Sequence, residues 1–276
     1  VWGRSSDNAK HFRKAKSIQK KLDKMDKLEK PTLGGKKINL EFNIPHRSGD
    51  EVLMIEGLSK SFGDKSLLKN VEMKLYWGET AAIIGRNGTG KTTLLQMIVD
   101  PEQRYNSNIN IGINVKIGYY SQESTDLKQG EELISAFRRY CPMSRDKARD
   151  LLASFHFTGD DVFKKISSLS GGEKSRLRLL QLMYGDYNFL IFDEPTNHLD
   201  LPSREVLEKA LSQYSGTVLV VSHDRYFINK FIDYTYELTR EGKLEKYYGN
   251  YDYYRKKKAK NEESEQTSVE AEQKKD

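Results

Sequence analysis

The chain has 276 residues, 37% of them hydrophobic, and carries 46 Lys and Arg against 40 Asp and Glu, a formal net charge of +6. That length supports a full core in one large domain with extensions. The single cysteine, Cys141, rules out an internal disulfide and a cysteine-built zinc site and suits a reducing interior, and no apolar run approaches the ~18 to 20 residues of a membrane span. The charge is local: residues 1–37 hold twelve basic and four acidic side chains, whereas residues 38–254 hold 27 and 30. A polyanion is therefore expected to meet the leading arm and not the globular body. The start, Val1-Trp2-Gly3-Arg4, has neither signal-peptide character nor an initiator methionine, so the chain reads as a piece of something longer.

From Lys10 to Lys30, Ile18, Leu22, Met25 and Leu28 fall on one helical stripe among lysines, and Pro31 with Gly34-Gly35 stops the run. Two readings stay open for this helix: a connector packed through its stripe, or a lysine face laid on nucleic acid backbone. Ile38, Leu40, Phe42 and Ile44 alternate as a half-buried strand; Val52–Leu58 and Val71–Leu75 add two more around a turn at Ser61–Asp64, which predicts an antiparallel layer. The apolar strand Thr80–Ile84 feeds a glycine-rich turn and then the helix Leu94–Val99, ended by Pro101. Ile111–Tyr119 is expected as one strand leading to Gln122. Residues 130–165 read as mostly helical, with a break at Cys141-Pro142.

Leu169-Ser170-Gly171-Gly172-Glu173 opens a helix that runs through Met183. Phe189–Phe192 is a fully apolar strand ending in Asp193-Glu194, Pro202–Gln213 a helix, and Thr217–Val221 another apolar strand ending in Ser222-His223-Asp224. Tyr234–Leu238 and Lys243–Tyr247 form a hairpin around Gly242. Tyr251–Lys260 starts a basic helix, and the tail beyond Asn261 lacks apolar anchors and is expected to be disordered. Strands alternating with helices give an α/β fold with a mostly parallel core sheet.

The turn Gly85-Arg86-Asn87-Gly88-Thr89-Gly90-Lys91-Thr92-Thr93 has the makings of a phosphate cradle. Small residues let successive backbone N–H groups face an anion, and the helix that follows offers its positive end to the same charge. Gly85, Asn87, Gly88, Gly90, Lys91, Thr92 and Thr93 are thus candidate nucleotide-binding residues, with Lys91 reaching the β- and γ-phosphates and Thr92 a bound Mg²⁺. Asp193 can hold the same Mg²⁺ through water while Glu194 orients a water for attack on the γ-phosphate. An acidic strand end satisfied by helix N-termini is the plainer alternative, and it loses weight once Lys91 and Thr92 share the sheet. His223, just past a third strand, is placed to contact the γ-phosphate and hold the attacking water, against the alternative of a surface turn residue. His198 is left as structural.

In order, Gly85 to Thr92, Gln122, Leu169 to Glu173, Phe189 to Glu194, Asn197 to Asp200 and His223 resemble the Walker A, Q-loop, signature, Walker B, D-loop and H-switch of ATP-binding cassette proteins. The resemblance implies a P-loop cassette over residues 38–254, with a helical subdomain at about 123–187. It further implies that Gln122 contacts the nucleotide and its metal, and that Ser170, Gly171, Gly172 and Glu173 contact ATP held by a partner cassette. Phe62 stands where the family stacks adenine, although it also fits as a hairpin core residue.

Glu194-Pro195-Thr196-Asn197-His198-Leu199-Asp200 and Ser222-His223-Asp224-Arg225-Tyr226-Phe227 look like the ABC-F branch, cytoplasmic tandem cassettes that act on ribosomes. On that likeness residues 1–37 are the end of an inter-cassette linker, residues 38–254 the C-terminal cassette and residues 255–276 a charged tail. The expected activity is Mg²⁺-dependent ATP hydrolysis, full only with a second cassette. The expected partners are the N-terminal cassette of the same parent chain, or a second copy, and ribosomal RNA through the linker. A transport-coupling subunit docked through the Gln122 region and a nonhydrolytic nucleotide-gated scaffold are the alternatives.

Overall fold

A computed structural model describes residues 46–121, 127–197 and 199–261. The basic helix of the leading arm, the strand Ile38–Ile44, Gln122, His198 and the tail beyond Asn261 lie outside the described residues. Two sheets organise what is described, one of three strands and one of six.

The smaller sheet is antiparallel. Strands β1 (Glu51–Phe62) and β2 (Lys65–Tyr76) pair from Glu51 opposite Tyr76 to Phe62 opposite Lys65, leaving Gly63-Asp64 as a two-residue turn. Both strands outrun the expected Val52–Leu58 and Val71–Leu75. Register shifts between Ile55 and Leu58, and again between Leu58 and Lys60, change which face each residue takes, so the alternation on which the pattern depends fails before the strand does. Leu68, Val71, Met73 and Leu75 of β2 are all buried.

Strand β3 (Thr80–Ile84) leads through the glycine-rich turn into α1 (Lys91–Val99). Pro101 does end α1, but it also begins α2 (Pro101–Tyr105): the Asp100 carboxylate accepts from the Glu102 N–H at 3.0 Å, and proline occupies the first helical position, where its missing N–H costs nothing.

The single strand expected over Ile111–Tyr119 is in fact two. Strand β4 (Ile109–Ile111) pairs with β1, and β5 (Ile117–Tyr120) forms the edge of the larger sheet. Between them the chain crosses from one sheet to the other through Gly112, where an added Cβ would lie 1.8 Å from the Glu51 carbonyl, and Asn114 at φ 59°. The buried amide of Asn188 pins this crossing, donating to the Asn114 and His46 carbonyls at 2.9 and 3.0 Å and accepting from the Lys116 N–H at 2.7 Å.

A helical region follows, made of α3 (Leu133–Tyr140), α4 (Arg145–Ser154) and two short 3₁₀ turns, with the expected break at Cys141-Pro142. Then come α5 (Gly171–Tyr184), β6 (Phe189–Asp193), α6 (Leu201–Ser212), β7 (Thr217–Val221), α7 (Arg225–Asn229), the hairpin β8 (Tyr234–Leu238) and β9 (Leu244–Tyr247), and a helix α8 over residues 251–261. The larger sheet runs β5-β6-β7-β3-β8-β9, parallel throughout except for the β8–β9 pair. Every residue of β3, β6 and β7 is buried, as parallel strands covered on both faces require. One hydrophobic cluster joins Leu53, Ile55 and Leu68 of the small sheet to Ile83, Ile191 and Leu219 of the large one through Leu94, Leu95 and Ile98 of α1. That packing fixes the helix that follows the glycine turn.

Candidate functional site

Sheet order decides where the site lies. β6, β7 and β3 are consecutive neighbours and parallel, so the residues that leave their C-terminal ends emerge side by side: Asp193-Glu194, Ser222-His223 and Gly85. Parallel sheets present ligand groups at this edge.

The turn after β3 depends on its glycines. Gly85, Gly88 and Gly90 have φ of 155°, 78° and 105°, and a Cβ on Gly85 would lie 2.5 Å from the Leu238 carbonyl. Asn87 and Gly88 are exposed at the rim. Gly90 caps α1 without any side-chain hydrogen bond, which leaves the first-turn N–H groups of Lys91, Thr92 and Thr93 for an anion. The Lys91 ammonium, only 8% exposed, donates to the Gly85 and Arg86 carbonyls at 3.0 and 3.1 Å. Burial lowers its pKa, and the Glu194 and Asp193 carboxylates work in the other direction. A buried cation held over the loop is what phosphate oxygens would meet on entry.

Asp193 is 3% exposed; burial raises its pKa against the Thr92 side chain, with which it hydrogen-bonds, and Lys91. Glu194 leaves the strand at φ 49°, a left-handed conformation unusual for a non-glycine residue, with its N–H donating to the Val221 carbonyl at 2.8 Å. That twist turns the carboxylate toward β7, where Oε1 stands 3.5 Å from His223 Nε2 and Oε2 accepts the His223 backbone N–H at 3.3 Å. Burial raises the Glu194 pKa, and His223 is the largest opposing influence. A carboxylate pushed toward neutrality and held by an imidazole is equipped to take a proton from water.

Lys91, Thr92, Asp193, Glu194 and His223 are thus brought together. Phe62 is not in the core, which settles the hairpin-core alternative against it: the ring is 59% exposed beside the turn at Gly63-Asp64, with the Lys60 ammonium 5.5 Å from its centroid. Ser170 and Glu173 form a reciprocal cap at the start of α5, Ser170 N–H to Glu173 Oε2 at 2.8 Å and Glu173 N–H to Ser170 Oγ at 3.3 Å, with Gly171 exposed and Gly172 half-buried beside them.

Two residues tie these parts together, Asp200 at the end of the D-loop match and Arg176, which no motif marks. Asp200 also caps α6, accepting from the Ser203 N–H at 3.1 Å, a role that an Asp before Leu-Pro at a helix start signals. Arg176 of α5 reaches Asp200 at 3.5 Å and lies 5.3 Å from the centroid of the Phe157 ring. Its partners lie far away in sequence, so no local pattern marks it.

Comparison with known proteins gives a consistent picture. The family described as "ABC transporter" matches residues 68–197, from β2 to just past Glu194. A solved "ATP binding subunit of ABC transporter" shares the fold with a TM-score of 0.60 at 21% identity, over 75% of this chain and 93% of that one. A Bacillus subtilis (strain 168) protein named YdiF is 43% identical over 98% of this chain and 42% of its own length. ABC transporter F family member 5 of Arabidopsis thaliana is 36% identical over 88% of this chain and 36% of its own length, and the Bacillus subtilis (strain 168) ribosome protection protein VmlR is 39% identical over 78% and 40%. The chain therefore spans about two fifths of the length of these relatives.

Proposed function

We propose that this chain, which matches the family described as "ABC transporter" over residues 68–197, is an ABC-F-type ATP hydrolase whose nucleotide state gates engagement of the ribosome. The observation that carries the reading is the meeting of Lys91, Thr92, Asp193, Glu194 and His223 at three adjacent strand ends. Asp193, with Thr92 at its side, fits a small hard cation that takes few protein oxygens and fills its shell with phosphate and water. Bound Mg²⁺ would neutralise charge on the phosphate oxygens.

The first-turn N–H groups of α1 and the Lys91 ammonium bind and orient the β- and γ-phosphates. Glu194 takes a proton from the attacking water as that oxygen bonds to the γ-phosphorus; the bond to the β-bridging oxygen breaks and ADP leaves with its electron pair. His223 holds the Glu194 carboxylate through its ring and its backbone N–H. Ser170 and Gly171 are exposed, with Gly172 half-buried beside them, where a partner's ATP could meet them, so the active form is two cassettes closed over nucleotide, with this chain as the second.

A translation role draws its support from relatives named for ribosome protection and for the F family, and from the +8 arm of residues 1–37. The test is ribosome co-sedimentation of the tandem protein bearing Glu194→Gln, with ATP at moderate salt. Accumulation in the ribosome pellet supports the reading, and a protein left in the supernatant ends it. The family description favours a second reading, a subunit that drives a membrane partner. Among the described residues no helix is long and apolar enough to cross a membrane; recovery of an integral membrane partner from detergent extracts would favour this alternative.

A further inference from the structure

A cleft of about 430 Å³ opens beside the candidate ATP site, between Gly85-Arg86 after β3, His223 after β7, Glu237 on β8 and one face of α8 that presents Arg255 and Lys258. Its helical wall is firmly built. Tyr254 is buried with its ring 4.9 Å from that of Tyr247, Lys258 pairs with Glu237, and the Asp252 N–H donates to Asn229 Oδ1 at 3.1 Å, tying α8 to the helix that follows His223.

The charge of the lining is distinctive. Lys258 neutralises Glu237, which is the only acid along the cleft among the described residues, and the exposed guanidinium groups of Arg86 and Arg255 remain as excess positive charge. They belong to two different elements, a loop and a helix. The helical wall is itself basic, with Arg255, Lys256, Lys257, Lys258 and Lys260 and no acidic residue between them. His223, the same residue that holds Glu194, is part of its lining.

We propose that this cleft is a phosphate subsite, in which Arg86 and Arg255 receive the inorganic phosphate cleaved from ATP. The inference rests on the hydrolase reading for the origin of the ion, though the subsite can be tested without it. His223 borders both spaces, so the cleft starts where the cleaved group is left. Guanidinium groups suit a tetrahedral oxyanion because each can offer two parallel N–H donors, and a concave positive recess draws an anion away from the carboxylates of Asp193 and Glu194. A recess of this volume favours a compact ion over a polynucleotide, which needs a continuous groove.

The test is titration of inorganic phosphate into the full chain, followed by phosphorus-31 line broadening, with wild type, Arg255→Glu, Arg255→Lys and Lys256→Glu, the last the same charge change on α8 outside the cleft lining. Arg255→Glu should weaken phosphate binding about tenfold, as expected for loss of a charge-assisted contact. Arg255→Lys should restore only part of it, since the charge returns without the two-donor fork, and Lys256→Glu should leave it within about twofold. Equal affinity in Arg255→Glu, an equal loss in Lys256→Glu, or no binding at millimolar phosphate would each overturn the proposal, as would displacement of the ion by short RNA at far lower concentration. Acid-quenched ATP cleavage by the tandem protein separates the two readings: a tandem protein that cleaves no ATP refutes the hydrolase, while cleavage with phosphate affinity unmoved by Arg255→Glu refutes only the subsite.

Discussion

The strand-end cluster and the turn at the head of α5 are both glycine-rich helix starts built for an anion, yet the structure leaves them in opposite conditions. At the strand ends the charged groups are buried and only partly compensated: Lys91 leans on its own loop carbonyls, and Asp193 and Glu194 are both pushed toward neutrality by burial. At Ser170 the hydroxyl, the backbone and the Glu173 carboxylate satisfy one another and stay open to solvent. One region holds unfavourable charge that a ligand would relieve; the other has no local need of one. On the function proposed above, chemistry belongs to the first region and a conditional, partner-dependent contact to the second.

The largest expected effect tests whether chemistry depends on a single carboxylate. Glu194→Gln should lower ATP turnover by about 10²- to 10⁴-fold, the usual worth of a positioned general base, while ATP binding, measured by calorimetry, stays within a few-fold. In the parent protein the acid limb of turnover should lie above the ordinary glutamate value of 4.5, because the base must be ionised and burial raises its pKa. A limb at or below 4.5 would break the assignment.

Next in size is Phe62→Ala. With the ring exposed beside the hairpin turn, its loss should weaken nucleotide binding by about 1 to 3 kcal/mol, the range for base stacking on an aromatic, with little change in stability. A fall in melting temperature without a fall in affinity would return Phe62 to a structural role.

Asp193→Asn addresses the stored charge. A raised carboxyl pKa means that the folded chain binds more protons than the unfolded one between the ordinary value of 3.8 and the folded value, so stability falls as pH rises through that window. Removing the charge should raise the melting temperature of the nucleotide-free chain by about 2 to 4 °C at neutral pH, the shift for roughly 1 kcal/mol in a domain of this size. The gain should shrink as pH is lowered toward 3.8, and Mg-ATP affinity should fall.

The smallest effect belongs to the second region. Ser170→Ala should cost about 1 kcal/mol of stability as a lost helix cap, with no change in nucleotide binding by the isolated chain. A tenfold loss of affinity there would erase the contrast between the regions.

Much of the site was legible because it is local. The glycine turn, the acidic end of β6 and the histidine after β7 each stand within a few residues of an apolar run, and a parallel sheet gathers such ends. What escaped notice depends on geometry that side-chain identity does not encode. Strand 111–119 reads as one run because Ile111, Ile113, Val115 and Ile117 alternate, although Gly112 and Asn114 turn the chain into another sheet. The helix Arg225–Asn229 has little signal of its own in the sequence, because it is only five residues long and its cap, Asp224, stands inside the motif run Ser222–Phe227. The pairing of Glu194 with His223 and the bridge from Arg176 to Asp200 join residues 29 and 24 apart, and only the fold connects them.

The left-handed backbone at Glu194 has an evolutionary corollary. Glycine would sit there at the least conformational cost, so, on the assignment of Glu194 as the base proposed above, substitution toward greater robustness leads to an inert copy. Such a pseudo-enzyme would keep its cradle and its ability to clasp nucleotide, and would lose only the means of letting go. A duplicated gene released from selection would thus be expected to decay first into a permanent latch, long before it stops folding.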